Sequence, residues 1–434
     1  MRQETECTTI LVGKEMMEDG SMIVARCADS NALVPRHFKI YRDSDNGAEK
    51  FEALDSPFKC TLPQKFFGYT AIERCTLPGH WGSAGFNTAK VGMSATESIY
   101  AKAEALAVDP FVKSGVAENS VLNIVLPYIK SAREGVERLG ALIEEHGVAE
   151  AFGVAFLDKH EIWYLEVACG HRFLASRTPD DMYFVTANQG RLREYNPEDK
   201  KNYIASADLI EFAIANKLYD PKKGKFDFHE TYQRDEKPDT TYSYPRVWAL
   251  QKMLSPSIQN DVTKNTFPVY AKAEKKLTIS DIRKVFQHHY QGTEHDPYFH
   301  NNPKEPYRPI SIFRTTQTHI LQVRPELPAE IGEINYVSIG MGALGVFIPF
   351  YQGMENYLKE FGVGDTHCSD DSAYWKFRKV QTLGMVNFNK YAPIIQKAYA
   401  KWEQETDQRQ KEMEFEYMQL LPKQPLKAKE LIQK

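Results

Sequence analysis

The chain has no surplus of basic charge, no apolar run long enough to cross a bilayer and no closely paired cysteines. Each absence removes a class of function. Lys plus Arg (54) nearly balances Asp plus Glu (58) over 434 residues, leaving a net charge of −4; a nucleic-acid surface needs a basic footprint, and there is none. The longest apolar stretches are Val121-Leu122-Asn123-Ile124-Val125-Leu126 and Val346-Phe347-Ile348-Pro349-Phe350, far short of a membrane span. No apolar signal-peptide core opens the sequence, so the expected location is cytoplasmic. Cys7, Cys27, Cys60, Cys75, Cys169 and Cys368 are scattered without a CxxC pair, which argues against a zinc ribbon or a redox dithiol. A disulfide scaffold is not expected in so long a chain without secretion signals. The 12 histidines show no HExxH spacing, and no GxGxxG or GKS/GKT loop follows a strand. No metal, cofactor or nucleotide is therefore expected.

What is present is the composition of a globular protein, 42% hydrophobic and 26% charged, with one unusual cysteine. Cys7 follows the polar stretch Met-Arg-Gln-Glu-Thr-Glu and begins the β-branched run Cys7-Thr8-Thr9-Ile10-Leu11-Val12. Cleavage of the Glu6–Cys7 bond would give one residue both a thiol nucleophile and a free α-amine to act as its base. The other reading is a small buried residue at the start of a strand. A polar connector over residues 13–21 leads to Met22-Ile23-Val24-Ala25-Arg26, so the two runs form an antiparallel hairpin. Folding about the connector's centre pairs Val12 with Ser21, Ile10 with Met22 or Ile23, and Cys7 with about Arg26. A guanidinium beside the thiol favours thiolate. Asp29, just past the strand, is placed to hold the α-ammonium or Arg26.

Further along, residues 32–65 read as irregular. Short strands flank Asn87 at a probable turn. A helical region covers 121–146, with Asn119 or Ser120 as caps and Gly147 as its end. Strand patterns occur at 151–157, 161–167, 182–186, 310–315, 319–323 and 334–339, and helical ones at 206–218, 244–254, 278–290 and 371–411. The polar segment 292–308 is a long loop of the kind that often carries function. Strands, helices, strands and helices follow in that order, an α+β pattern with antiparallel sheets.

These residues resemble a known family. Cys-Thr-Thr-Ile-Leu-Val-Gly-Lys at 7–14, with Ala25-Arg26 and Asp29, is similar to the start of the dipeptidase A family of N-terminal-nucleophile (Ntn) cysteine peptidases. That family is related to penicillin V acylase and conjugated bile salt hydrolase. The similarity continues through Ala187-Asn188-Gln189, Tyr244-Pro245-Arg246-Val247-Trp248, Tyr307-Arg308-Pro309-Ile310-Ser311, Phe347-Ile348-Pro349-Phe350-Tyr351 and Ala373-Tyr374-Trp375-Lys376-Phe377-Arg378. Each motif alone is weak; their order and spacing are specific.

The resemblance implies an αββα sandwich of two stacked antiparallel sheets between helical layers. It implies self-removal of a propeptide, Met1 to Glu6, leaving one catalytic domain over 7–403 and a charged helical tail over 404–434. Residue by residue, Cys7 matches the nucleophile, and Arg26 and Asp29 match the Arg and Asp beside it. Asn188 and Asn87 match the donors to the reacting carbonyl, although the acylases carry Asn-Glu where this chain has Asn87-Thr88. Arg246 matches an Arg of the wider group's site and is a candidate to read a substrate carboxylate. The activity implied is hydrolysis of small peptides by a broad-specificity dipeptidase, through an acyl-thioester on Cys7. An α-amine, with a pKa of about 7.7–8.0, serves as base without a histidine. An acylase acting on a non-peptide amide and an inactive Ntn-fold binding module are the alternatives. The family also suggests assembly of identical subunits.

Overall fold

The computed structural model describes residues 6–47, 50–299 and 305–433. The first sheet has seven strands in the spatial order Tyr270–Ala271, Tyr183–Thr186, Glu6–Val12, Met22–Asp29, Thr315–Val323, Glu333–Ile339 and Ile348–Tyr351. The second has six, Tyr203–Ala205, Arg172–Arg177, Ile162–Cys169, Phe152–Leu157, Gly92–Ser98 and Ala84–Phe86. All pairings between these strands are antiparallel.

Alternation along the strands sets the layers. Leu11, Val24 and Leu321 leave one face of the first sheet and meet Ala155, Leu157 and Tyr164 of the second. Ile10, Val12, Ile23 and Ala25 leave the opposite face and pack under Val247 and Leu250 of helix Tyr244–Leu254 and Val285 and Phe286 of helix Ile279–Gln287. On the far side, Val136, Leu139 and Ile143 of helix Ala132–His146 cover Phe156 and Trp163 of the second sheet. The order is helix, sheet, sheet, helix: an α+β, αββα sandwich, as the resemblance implies. Every residue of Glu6–Val12 and Met22–Asp29 is buried, because each strand has a layer on both faces. Among the described residues no helix is long and apolar enough to cross a membrane.

Several local expectations shift. The first hairpin pairs Val12 with Ile23, Ile10 with Ala25 and Cys7 with Ala28, two residues off the expected register. The connector absorbs the difference with a helical turn at Lys14–Met16 and a turn closed by Asp19, whose carboxylate accepts from Ser21 N at 3.0 Å. A slip of two keeps every side chain on its face, so Cys7 and Arg26 still share the inter-sheet layer. The helix expected over 121–146 tightens after Val125 into a 3-10 turn, Leu126–Tyr128, ends there and restarts at Ala132, capped by Ser131 Oγ accepting from Glu134 N at 3.1 Å. The segment read as irregular contains Arg36–Tyr41, paired with Tyr69–Arg74. In place of strands over 310–315 and 319–323 there is one, Thr315–Val323.

The predicted boundary at 403/404 falls inside one continuous helix, Phe388–Leu420. Tyr417, Ala428 and Ile432 beyond that point join the core with Ile331 and Ile334. Asp407 takes both Arg283 terminal nitrogens at 2.8 and 2.7 Å. The charged C-terminal stretch is thus part of the helical layer. Its charges mask a stripe of contacts that the sequence alone does not reveal.

Candidate active site

Cys7 lies at the start of a central strand, 3% exposed, with each polar atom engaged. Arg26 Nη1 donates to its Sγ at 2.9 Å, and the thiol reaches Thr96 O at 3.3 Å. Cys7 N donates to Asn188 Oδ1 at 3.3 Å, and Cys7 O accepts from Arg246 Nη1 at 2.5 Å. The strands dictate this meeting. The Cys7 strand lies between Met22–Asp29, which carries Arg26, and Tyr183–Thr186, which ends just before Asn188. Asn188 has φ 57°, a left-handed turn that Asn tolerates.

Arg26 is fixed by the second sheet. Its Nε donates to Ser94 Oγ at 3.2 Å, and its Nη2 to Ser83 O at 3.1 Å and Ala95 O at 2.7 Å. His319, directly across the ladder from Arg26, meets Ser94 Oγ at 2.8 Å. Burial, and then the Arg26 charge, push its pKa well below the usual value, so this imidazole is neutral.

The expected effect of Arg26 on the thiol is present but outweighed. Burial raises the Cys7 pKa to about 12, against the lowering by Arg26 and with smaller increments from Glu97, Asp29 and Glu118. With Glu6 still attached, the thiol is therefore protonated at neutral pH. Desolvation outweighs one guanidinium when almost no water reaches the sulfur.

The structure separates the other sequence candidates. Asp29 does not touch Arg26: its carboxylate accepts from Arg308 Nη2 and from Thr315 Oγ1, the latter at 2.6 Å. The cause is alternation, since Asp29 pairs with Glu6 in the ladder and shares its face rather than that of Cys7. Asn188 belongs to the site, but its Nδ2 is taken by Ser98 O at 2.9 Å, and Oδ1 faces Cys7. Asn87 does not: its Nδ2 donates to Leu126 O and Ile129 O at 2.7 and 2.8 Å, and its Oδ1 accepts from Val91 N at 3.0 Å. It ties a turn to the helical layer. Arg246 is fully buried, 0% exposed, and donates to Tyr242 O, Cys7 O, Thr8 Oγ1, Ala187 O and Asn188 Oδ1. No donor is left for a substrate, so its place is that of a brace between two strands and a helix.

Sequence reasoning missed Glu97, Glu118 and Arg308. Glu97 accepts from Asn188 N at 2.7 Å and Thr9 Oγ1 at 2.5 Å, and burial raises its pKa to about 7. Glu118 accepts from Ser98 Oγ at 2.7 Å and is raised to about 8, by burial and then by Glu150. A Glu inside the otherwise uncharged strand Gly92–Ser98 is the signal that could have exposed the first.

Space at the site is divided. A recess of about 20 Å³ adjoins Cys7 between Arg26, Ser83 and Thr96, room for about one water. A cavity of about 610 Å³, the size of a small-ligand pocket, is lined by Glu6, Tyr100, Arg234 and Tyr242 but not by Cys7. Glu6 lines the larger space and Cys7, its neighbour in the chain, lines the smaller.

Known proteins bear on this geometry. A probable dipeptidase of Salmonella dublin is 48% identical over 354 residues, covering 81% of this chain and 82% of its own. A probable dipeptidase A of Streptococcus pyogenes is 37% identical over 393 residues, covering 88% and 84%. A dipeptidase of Bifidobacterium longum is 35% identical over 409 residues, covering 87% and 76%. Among solved structures, a variant of conjugated bile acid hydrolase from Clostridium perfringens overlays 81% of this chain and 94% of its own at 11% identity, with a TM-score of 0.34; so loose an overlay adds nothing to the assignment. The profile of Peptidase family C69 matches residues 6–401, which run from the residue before the buried thiol into the long C-terminal helix, and the chain belongs to that family.

Proposed function

We propose that this protein is a dipeptidase whose nucleophile is Cys7, exposed by self-removal of residues 1–6. Residues 1–5 lie outside the described residues. The observation that carries the reading is the set of contacts on one residue: Sγ 2.9 Å from the Arg26 guanidinium and the Cys7 nitrogen on Asn188 Oδ1. The names of the relatives supply the substrate class.

In self-cleavage, Sγ adds to the Glu6 carbonyl carbon. The C–S bond forms, the Glu6–Cys7 C–N bond breaks, and the nitrogen takes up the thiol proton. Water then adds to the thioester and the C–S bond breaks. Residues 1–6 depart as a carboxylic acid, leaving Cys7 with a thiol and an α-amine. In turnover the amine takes the thiol proton, Sγ attacks the dipeptide carbonyl, and the proton passes to the leaving amino acid. The amine then activates the water that clears the thioester, acting near its ordinary pKa of about 7.7–8.0. Arg26 stabilises the thiolate once the site admits water. Asn188 Oδ1, braced by Arg246 Nη2 at 2.9 Å, orients the amine.

The test is intact mass and hydrolysis together. Wild type should begin at Cys7 and cleave Leu-Leu in preference to penicillin or bile-acid amides. Cys7→Ala should retain residue 6 and cleave none of them. A wild type that keeps Met1 yet shows full dipeptidase activity would overturn the amine base.

A further inference from the structure

The Glu6 side chain sits in a basic recess beside the bond to be cut. Resting on the reading above, in which Glu6–Cys7 is the first bond the enzyme breaks, we propose that this recess is the acyl-residue subsite. It selects dipeptides whose N-terminal residue carries a side-chain carboxylate, Glu-Xaa or Asp-Xaa.

Self-cleavage and turnover share one thioester geometry. In the first, the acyl group on Sγ is that of Glu6; in the second, it is the substrate's N-terminal residue. The same sulfur attacks the same kind of carbonyl, so the acyl side chain falls in the same place. Alternation along the strand sends Cys7 into the inter-sheet layer and Glu6 to the opposite face. On that face Glu6 Oε2 pairs with Arg314 Nη2 and lies 3.7 Å from Arg308 Nε. Arg308 Nε is buried and makes no hydrogen bond among the described residues. Arg314 Nη2 also donates to Tyr242 Oη at 3.1 Å, and the Arg308 guanidinium stands 5.3 Å from the centre of the Tyr242 ring. The nearby carboxylate of Asp29 is already committed to Arg308 Nη2 and Thr315.

Departure of residues 1–6 therefore removes one carboxylate and leaves the Arg314 cation without it. The vacated position lines the 610 Å³ cavity together with Tyr242. The Arg314 side chain is 37% exposed, within reach of a solute. An acyl residue ending in a carboxylate restores the pairing that Glu6 made. A neutral one leaves partly desolvated donors unpaired, the situation that gives polar sites their discrimination. The dipeptide's own C-terminal carboxylate belongs to the leaving residue, on the other side of the scissile bond.

The experiment compares kcat/KM for Glu-Leu, Gln-Leu, Leu-Leu and Leu-Leu amide on processed wild type and on Arg314→Gln. Wild type should prefer Glu-Leu over Gln-Leu by about tenfold or more, the effect of one charge-assisted hydrogen bond. In Arg314→Gln that ratio should fall toward one. A ratio near one in wild type, which needs no variant to fold, overturns the proposal, as does a ratio that Arg314→Gln leaves unchanged. A change confined to the Leu-Leu against Leu-Leu amide ratio overturns it as well, because the recess then reads the terminal carboxylate. Failure of the parent reading looks different: residues 1–6 stay attached or no dipeptide is cut, Leu-Leu included, and this proposal falls with it.

Discussion

Replacing Arg246 by Met separates two roles that one residue could hold. As a reader of the substrate's carboxylate, Arg246 would affect KM and little else. As the brace described here, it would affect everything that depends on the position of Cys7. The buried guanidinium donates to Tyr242 O at 2.9 Å, Cys7 O at 2.5 Å, Thr8 Oγ1 at 3.0 Å, Ala187 O at 3.1 Å and Asn188 Oδ1 at 2.9 Å. Met keeps much of the stem volume and none of the donors, so several buried acceptors lose their partner at once. Each buried neutral acceptor left without a donor costs about 1–3 kcal/mol, and because such losses are not additive the total expected is about 3–5 kcal/mol. For 434 residues, an unfolding entropy of about 2.1 cal/mol/K per residue converts that into a Tm lower by ~3–6 °C. Asn188 Oδ1 also loses the donor that aims it at Cys7 N, and a misplacement of about 1 Å slows chemistry by about a hundredfold. Differential scanning fluorimetry gives the first quantity, and the time course of intact mass during self-cleavage gives the second. A variant with wild-type Tm and normal processing, altered only in KM for dipeptides, would refute the brace.

Asn87→Ala tests the opposite correction. With three hydrogen bonds to the turn and helical layer lost, stability should drop by about 2–4 kcal/mol, while kcat per folded molecule for Leu-Leu stays close to wild type; a large loss of kcat at unchanged Tm would return Asn87 to the reacting carbonyl. Glu166 gives a pH test. Burial raises its pKa from 4.5 to about 7, even though Arg191 N and Leu192 N donate to it. A carboxyl whose folded pKa is raised contributes stability that is complete below its unfolded value and is lost as pH rises through about 7. Glu166→Gln should therefore flatten the decline in urea midpoint between pH 5 and 8, and an unchanged slope would remove Glu166 as its source.

What the sequence discloses follows the range of the interaction. Cys7 and Arg26 belong to neighbouring strands of one hairpin, and only the parity of the register decides whether they meet. A slip of two residues leaves parity intact, so the contact survives an incorrect alignment. Asp29 fails by the same rule: it lies three residues beyond Arg26, an odd number, and so faces the other layer. Its partner, Arg308, is 279 residues away. That residue ends the long polar loop whose length marked it as functional, but length says nothing of which strand end the loop reaches. Asn188 and Asn87 look alike in sequence, each beside a strand end. Which amide reaches the Cys7 nitrogen depends on strand order: Tyr183–Thr186 lies against the Cys7 strand, whereas Ala84–Phe86 sits at the edge of the other sheet.

If Cys7 is the proposed nucleophile, the same strand order stores it inactive before residues 1–6 are removed. Cys7 enters the sheet with a strand on each side and a sheet above it, and burial holds its thiol near a pKa of about 12. The residue in front of it is held as firmly, Glu6 by the Asp29 ladder pairing and by two arginines. Both residues of the proposed scissile bond are therefore held in place, and the carbonyl that self-cleavage would attack is the one attached to the nitrogen of Cys7 itself. Intramolecular attack tolerates a poor nucleophile, because correct placement alone supplies an effective concentration of about 10⁵ M or more. On the proposed reading, cleavage would free the α-amine of Cys7 to act as its base, and would take Glu6 from the wall of the larger cavity.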